Sequence, residues 1–549
     1  MPNVAELIRS RAGDPRVALR FEDQSWTWAE YVDACSRRAA YLLDRLPAGR
    51  PPHVGVLLDN TPEYLMWLGA TALSGTVLVG VNPTRRGAEL ARDITYTDCQ
   101  IVVTESRHLP LVEGLDLGDA TGRLLVVDDP ESAAALDPYP TTPPEVDVDE
   151  GGIYNLLFTS GTSGAPKACI LSQRRLLYSA TILSGNMGLS ADDVFYLAMP
   201  LFHSNAVITS FCPWVLVGSV AVPRRRFSAS GFLPDVRKYG ITYFNYVGKP
   251  LSYILATPPQ PDDADNTLRL AFGNEAADLD IARFEARFGC PVVDGYGSTE
   301  GGAHVNRSPE MPRGALGMPA DGIVVCDPET LEEMPRARFD DQGRLLNPDE
   351  CIGEMVNKLG AAGFEGYYKN DEANEQRIRN GWYWTGDLAY RDDEGYIYFA
   401  GRDFEWIRVD GENFAAAPIE RILARHEAVV LAAVYAVPDA EVGDQVMATL
   451  QVRPGTGFDP AAFDEFLGAQ TDLGTKWSPR YVRVTEAMPV TESQKPLKRV
   501  LRRERWDTDE PVFWRPARGA GLAPMTAADR EALLAEFARH ERLGALDAG

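Results

Sequence analysis

Short apolar runs separated by amphipathic segments recur through the first part of this chain, and that alternation constrains its fold more than any other feature. HVGVLL (53–58), GTVLVGV (75–81), QIVVTE (100–105) and GRLLVVDD (122–129) read as buried strands, and TPEYLMWLGATALSG (61–75) as the helix between the first two. Strand–helix–strand repetition of this kind implies parallel sheets covered by helices. The chain has 549 residues, 45% hydrophobic and 24% charged, which is ample material for a packed core and excludes a disordered chain. At roughly 150 residues per domain, that length corresponds to about three to four structural units. The Pro-rich, acidic stretch DPYPTTPPEVDVDEGG (137–152) is a surface connector, and no short-period repeat is visible.

Charge and cysteine usage narrow the function. Lys+Arg number 54 and Asp+Glu 79, a net charge of −25. Such an excess of acid excludes a general nucleic-acid binder and a polybasic membrane-surface protein, since both place positive charge against phosphates. The seven cysteines form no CxxC pair, and an odd number excludes a complete disulfide framework. Free, mostly buried thiols in a reducing, cytoplasmic setting are the simplest reading. The N-terminal 24 residues are polar and helical in pattern, with no apolar signal core. Leu201 to Pro223 lacks charge over a length near that of a membrane span, but His203, Ser204, Asn205, Thr209 and Pro213 interrupt it. It reads as a loop, a buried helix and a buried strand, with no transmembrane span.

A boundary falls near Gly401–Arg402. Before it, YRDDEGYIYFAGR is a turn and a strand; after it come a helix in AAAPIERILARHEAV and a strand at 430–438. FDPAAFDEFLGAQ (458–470) is a further helix capped by Asp459, and an amphipathic helix over 526–543 ends the pattern in a packing role. The expected architecture is α/β: a large multi-lobed N-terminal domain of helix-covered sheets (1–401) plus a small mobile α+β C-terminal domain (402–549).

Five segments carry chemistry. In YNLLFTSGTSGAPKACILS (154–172) an apolar strand runs into Thr159, Ser160, Gly161, Thr162, Ser163 and Gly164, closed by Lys167. Backbone N–H groups and hydroxyls on such a loop suit a polyphosphate, with the lysine on the far side. It is not a Walker A loop, because no Gly-Lys-Ser/Thr occurs there. MPLFHSNA (199–206) places His203 on the wall of the same pocket. DGYGSTEGG (294–302) presents Tyr296, Thr299 and Glu300 in one arc, fit to stack on a base, contact a phosphate and hold a magnesium ion. GWYWTGDLAYRDDEGYIYFAGR (381–402) supplies Asp387 and Arg402, a pair suited to ribose hydroxyls. MPVTESQKPLKRVLRR (488–503) supplies Lys495. Taken alone, a histidine such as His203 is more often a packing residue and a lysine such as Lys495 is usually solvated; the order of the five segments carries the assignment.

That ordered set resembles the acyl-adenylate-forming superfamily of acyl-CoA synthetases, adenylation domains and luciferases, over about residues 25–503. Lys167-Ala168, YFNYVGKPLSYIL (243–255), FGNEA (272–276), GFEGYYKN (363–370) and Gly411-Glu412-Asn413 are similar to the fatty-acid transport protein and very-long-chain acyl-CoA synthetase branch, and to mycobacterial-type fatty acyl or steroid side-chain ligases. The resemblance implies an enzyme that joins a hydrophobic carboxylic acid to coenzyme A through an acyl-AMP intermediate, using ATP and Mg2+. It implies that residues 159–164 and Lys167 hold the β- and γ-phosphates. Tyr296 lies against adenine beside Asn274, Glu275 and Ala276, Thr299 contacts the α-phosphate, and Glu300 ligates magnesium. Asp387 and Arg402 hold ribose, Gly411 belongs to the cofactor-binding set, and Lys495 bridges the carboxylate and the α-phosphate. The neighbourhood of His203, residues 243–248 and residues 273–296 are expected on the acyl side, with Val207, Phe244, Tyr246 and Val247 as its apolar wall. The chain departs from the pattern at Gln173, Phe404 and Gln494, which bear on the hinge and the second half-reaction. Transfer to an amine or carrier protein, and a non-enzymatic lipid-binding or uptake role, are the alternatives. Peripheral membrane contact and a homodimer stay open.

Overall fold

The computed structural model describes residues 2–159, 167–274, 276, 278–306, 311–312, 314–340, 345–361, 363–402, 406–409, 412–441, 444–470, 473–474, 476–491, 495–517, 519–540 and 542–546, with the side chains of 278, 306, 349, 402, 406, 408 and 412–415 also outside it. Two largely parallel sheets dominate the N-terminal part. One runs, in spatial order, Leu124–Val126, Cys99–Thr104, His53–Leu57, Val77–Gly80, Ile153–Phe158 and Ala168–Ser172, with only the last pair antiparallel. The other runs Val292–Gly295, Leu270–Asn274, Tyr243–Val247, Val194–Leu197, Val220–Pro223, Val17–Phe21 and Gln24–Thr27, again with one antiparallel pair at the edge. Their strands are buried on both faces, which is why they read as unbroken apolar runs.

Three expectations are refined. The N-terminal segment is helical only over Val4–Arg9, where Asn3 and Glu6 form a capping box; Val17–Phe21 then enters the second sheet beside Val220–Pro223. The predicted strand over 122–129 is confined to Leu124–Val126. Leu201–Pro223 holds a loop, short helices and the strand Val220–Pro223 as read, but Val207–Phe211 is a π-helical turn. Among the described residues no helix is long and apolar enough to cross a membrane. All seven cysteines are free and buried.

An antiparallel sheet of Ile323–Cys326, Gly353–Asn357, Ile378–Arg379, Trp382–Arg391 and Ile397–Arg402 completes this part. Core membership changes just beyond it. Ala400 packs with Leu388, Tyr390 and Tyr398, whereas Ile407 and Val409 pack with Ile419 and Val434. The C-terminal part is a five-stranded sheet, Val429–Pro438, Asp444–Val452, Tyr481–Thr485, Val512–Trp514 and Ala523–Pro524. Helix Pro460–Gly468 is capped by the Asp459 carboxylate, which accepts from the N–H groups of Ala461 and Ala462. The last long helix, Ala527–Arg539, buries Leu533 and Phe537 in the cluster that holds Tyr481 and Trp506, so its role is packing.

Candidate active site

Parallel strands all end on the same side of their sheet, so the residues that follow them converge there. The two sheets exploit this together. Asp59 and Asn60, Gly80 and Asn82, Thr159, Met199 and Pro200, Gly248, Asn274 and Tyr296 each follow or end a parallel strand, and all line one cleft of about 2990 Å³. The C-terminal part closes over it with Lys495, Lys498, Arg499 and Arg502.

On either side of the expected phosphate loop, the Thr159 N–H donates to the Lys167 carbonyl over 3.0 Å. Ser160, Gly161, Thr162, Ser163 and Gly164 lie outside the described residues, as do Glu275, Phe404, Gly411 and Gln494. Lys167 lines the cleft with its Nζ 5.9 Å from the centre of the Tyr367 ring. Partial burial, with Arg377 nearby, lowers its pKa. The backbone of Arg402 pairs directly opposite Asp387.

The Tyr296 arc is held by its neighbours rather than by regular structure. Gly301 takes φ +67°, and a Cβ on Gly302 would overlap the Tyr383 ring, so both glycines are required by the turn. Asn274 ties the arc to its sheet: its Nδ2 donates to the Gly295 carbonyl over 2.6 Å, and its Oδ1 accepts from Asn205 Nδ2 over 3.3 Å. The Ala276 N–H and the Tyr246 hydroxyl both donate to Asp294 Oδ2, over 2.9 and 2.8 Å. Tyr296 donates its hydroxyl to Asp387 Oδ2 over 2.6 Å, which brings the flat ring beside the carboxylate. The Thr299 and Ser204 hydroxyls lie 2.6 Å apart. Glu300 is 6% exposed and accepts at Oε1 from the Tyr367 hydroxyl over 2.5 Å.

His203 and Lys495, from the two parts of the chain, line the same cleft. His203 precedes the short helix Ser204–Ala206, with its ring 4.5 Å from that of Phe202. Burial drives its pKa down to about 4, and the Lys495 ammonium adds to the effect, so the imidazole is neutral at physiological pH. Lys495 is tied twice to Thr491: the Thr491 N–H donates to the Lys495 carbonyl over 2.7 Å, and the Lys495 N–H to Thr491 Oγ1 over 3.1 Å. Thr159, Lys167, His203, Asn274, Ala276, Tyr296, Thr299, Glu300, Asp387 and Lys495 therefore share one cleft.

The acyl wall differs from expectation. Val207, Phe244 and Tyr246 are fully buried in the core; of the four residues expected there, Val247 lines the cleft. Strand Tyr243–Val247 is covered on both faces, so its alternate residues serve helix packing. Gly248 and Val293, within the two expected stretches, line the cleft, as do Ile208, Phe272 and a flank of helix Gln173–Met187 formed by Tyr178, Ile182, Leu183 and Met187. Sequence reasoning also passed over Tyr367 and Arg377, which contact Glu300 from a distant stretch of chain. Tyr367 stood within a quoted motif; nothing in the sequence marks Arg377.

The comparisons agree with this geometry. A family model for the AMP-binding enzyme matches residues 9–368, and one for the AMP-binding enzyme C-terminal domain matches 418–495. The chain is 51% identical over 543 residues to a steroid-22-oyl-CoA synthetase of Rhodococcus jostii, covering 98% of each. It is 47% identical over 517 residues to the medium/long-chain-fatty-acid–CoA ligase FadD17 of Mycobacterium tuberculosis, covering 93% of this chain and 98% of that protein. In fold it is similar to the crystal structure of the anthranilate CoA ligase AuaEII in complex with anthranoyl-AMP, with a TM-score of 0.79, 21% identity, and 91% and 96% of the two chains covered. The fold is that of adenylate-forming enzymes, with a large N-terminal and a small C-terminal domain. The chain belongs to the AMP-binding enzyme family. It is an acid–thiol ligase of the acyl-CoA synthetase type, using a carboxylic acid, ATP, Mg2+ and coenzyme A.

Proposed function

We propose that this protein activates a bulky hydrophobic carboxylic acid, a steroid side-chain acid or a medium- to long-chain fatty acid, through its acyl-AMP to the coenzyme A thioester, and does so in the cytoplasm. One observation carries the reading: Lys495, whose charge is felt by His203, lines the same cleft as the apolar flank Tyr178, Ile182 and Met187. A carboxylate bound between Lys495 and Thr299 would trail its apolar body along that flank. The named relatives, one acting on a steroid-22-oyl group and one on medium and long fatty chains, support the same class.

The roles follow from charge. Carboxylate and triphosphate repel each other, so the first half-reaction needs fixed positive charge where negative charge builds up. Lys495 supplies it from the C-terminal part and Lys167 from the N-terminal part. His203 stays neutral, so it offers an imidazole face and a hydrogen-bonding nitrogen without a competing charge. Tyr296 and Asp387 hold the nucleoside, with Arg402 following from the family pattern. Glu300 suits Mg2+, a hard cation that prefers carboxylate and phosphate oxygens. Its described contacts fall on one oxygen, Oε1. When bound, the ion neutralises phosphate charge. We assign residues 1–401 to the ATP- and acyl-binding domain and 402–549 to the mobile domain that carries Lys495, with rotation about Arg402 between half-reactions.

The test is pyrophosphate release with and without coenzyme A over a panel of fatty, aromatic and sterol acids, followed by the mass of the product. Release that depends on a sterol or long-chain acid, with the coenzyme A thioester as product, is the expected result. An amide product, or preference for small aromatic acids, would refute the reading.

A further inference from the structure

The segment that carries Glu300 has no helix or strand to fix it, yet its carboxylate is nearly buried at the edge of a wide cleft. Its orientation is set from elsewhere in the chain. Tyr367, 2% exposed, donates its hydroxyl to Glu300 Oε1. The same hydroxyl accepts from Arg377 Nε over 3.1 Å, and the Arg377 guanidinium approaches Oε1 to 3.9 Å. The chain of donors therefore has one direction, from Arg377 to Tyr367 to Glu300.

Each member is itself immobilised. The Tyr367 N–H donates to Asn374 Oδ1 over 2.7 Å, and Asn374 Nδ2 returns a bond to the Tyr367 carbonyl over 3.2 Å. The Tyr367 ring packs edge-on against Phe364, with centroids 5.1 Å apart. Arg377 donates through Nη1 to the carbonyls of Trp384 and Thr385. The Tyr367 backbone bridges to Cys169 on the strand that follows the phosphate loop, and the Lys167 ammonium lies over its ring. Tyr367 thus joins the phosphate loop, the Glu300 arc and helix Asp371–Arg377 at one atom cluster.

We propose that Tyr367 and Arg377 are positioning residues for Glu300: their hydrogen-bonded chain holds Oε1 with the protein and leaves Oε2 as the oxygen offered to the divalent cation. The inference rests on the reading of Glu300 as a metal ligand and adds the residues that aim it. The held oxygen gives the pair its effect: a carboxylate with one oxygen already fixed loses less rotational freedom on meeting a cation. Residues that orient a metal ligand typically change metal affinity by about 10- to 100-fold when removed.

The experiment measures Mn2+ binding to the full-length enzyme in the presence of a non-hydrolysable ATP analogue, by electron paramagnetic resonance of the free ion, alongside the Mg2+ dependence of pyrophosphate release. Tyr367→Phe keeps the ring and its packing and removes the hydroxyl. It is expected to raise the Mn2+ dissociation constant about tenfold and to shift the Mg2+ titration by a similar factor, with the lost rate recovered at high Mg2+. Arg377→Lys, which keeps the charge but not the fork, should move both in the same direction, and it carries the test if the phenylalanine variant does not fold. Glu300→Gln should weaken Mn2+ binding as well, and adding Tyr367→Phe to it should bring no further loss, because the two residues act through one contact. Wild-type Mn2+ affinity in Tyr367→Phe and Arg377→Lys, with affinity lost in Glu300→Gln, would overturn the positioning role alone. Unchanged affinity in Glu300→Gln would overturn the metal assignment and this inference with it.

Discussion

Serine in place of Ile182 removes a branched apolar side chain from the flank of helix Gln173–Met187 that lines the cleft. Ile182 is 46% exposed and its neighbour one turn earlier, Tyr178, is 56% exposed, large values for apolar side chains that face a cavity. Burying such a side chain completely is worth roughly 1.5–3 kcal/mol, so covering the exposed half under an acyl body contributes about 1 kcal/mol per residue. At about 1.4 kcal/mol per tenfold, Ile182→Ser should lower kcat/KM for a sterol or long-chain acid about fivefold, and the double change with Tyr178→Ser roughly thirtyfold. A four-carbon acid anchored at Lys495 leaves the flank uncovered, so its kcat/KM should hold within about twofold on the same scale. The assay is initial-rate thioester formation over a chain-length series, with thermal melting to confirm that the variants are folded. Equal losses for short and long acids would mean that the helix serves the fold alone, and no loss for long acids would mean that the acyl body lies elsewhere. Either result refutes the argument.

Two further outcomes test the polar half of the site. Lys495→Ala should lose adenylate formation by about a hundred- to a thousandfold, the usual effect of removing one group that meets developing charge, while retaining thioester formation from supplied acyl-AMP; equal loss in both half-reactions would remove Lys495 from the first step. His203 is held near pKa 4 against an ordinary 6.5, so the unfolded chain binds the proton that the folded site refuses. Its contribution therefore weakens the fold as pH falls from about 6.5 towards 4, by up to roughly 3 kcal/mol. The denaturant midpoint of wild type should fall relative to that of His203→Gln as pH drops through that window, and parallel curves would show that the imidazole is not kept neutral.

The reach of the sequence was set by how local each signal is. Strands such as His53–Leu57 and Val429–Pro438 were legible because burial on both faces leaves a continuous apolar run. The Tyr296 arc, His203 and Lys495 were legible because each sits in a short contiguous motif, and the structure brings those motifs to the same ends of the same sheets. What was illegible depends on faces and on distant partners. Phe244 and Tyr246 look like pocket residues by composition, but period two sends them to the helix layer that holds Phe232 and Phe284, while Tyr243 and Val247 face the other way. The N-terminal strand Val17–Phe21 gains its conformation from Val220–Pro223, some two hundred residues on. Arg377 acquires a role only because helix Asp371–Arg377 docks behind Tyr367.

Charge shows the same separation of whole from part. A chain at −25 is a poor partner for polyanions in bulk, yet ATP and coenzyme A are both polyanions. The described residues that line the cleft include fifteen Lys and Arg (Arg85, Arg86, Arg225 and Arg226 among them) against seven Asp and Glu, a balance of +8. The acidic surplus must therefore lie outside the cleft. An anion in the cleft thus meets the local positive balance, since exposed acidic charges beyond a Debye length of about 8 Å are largely screened. Several of the cations are already paired: Arg225 with Glu105 and Asp59, Lys498 with Glu420. Those pairs hold the basic groups in place in the cleft wall.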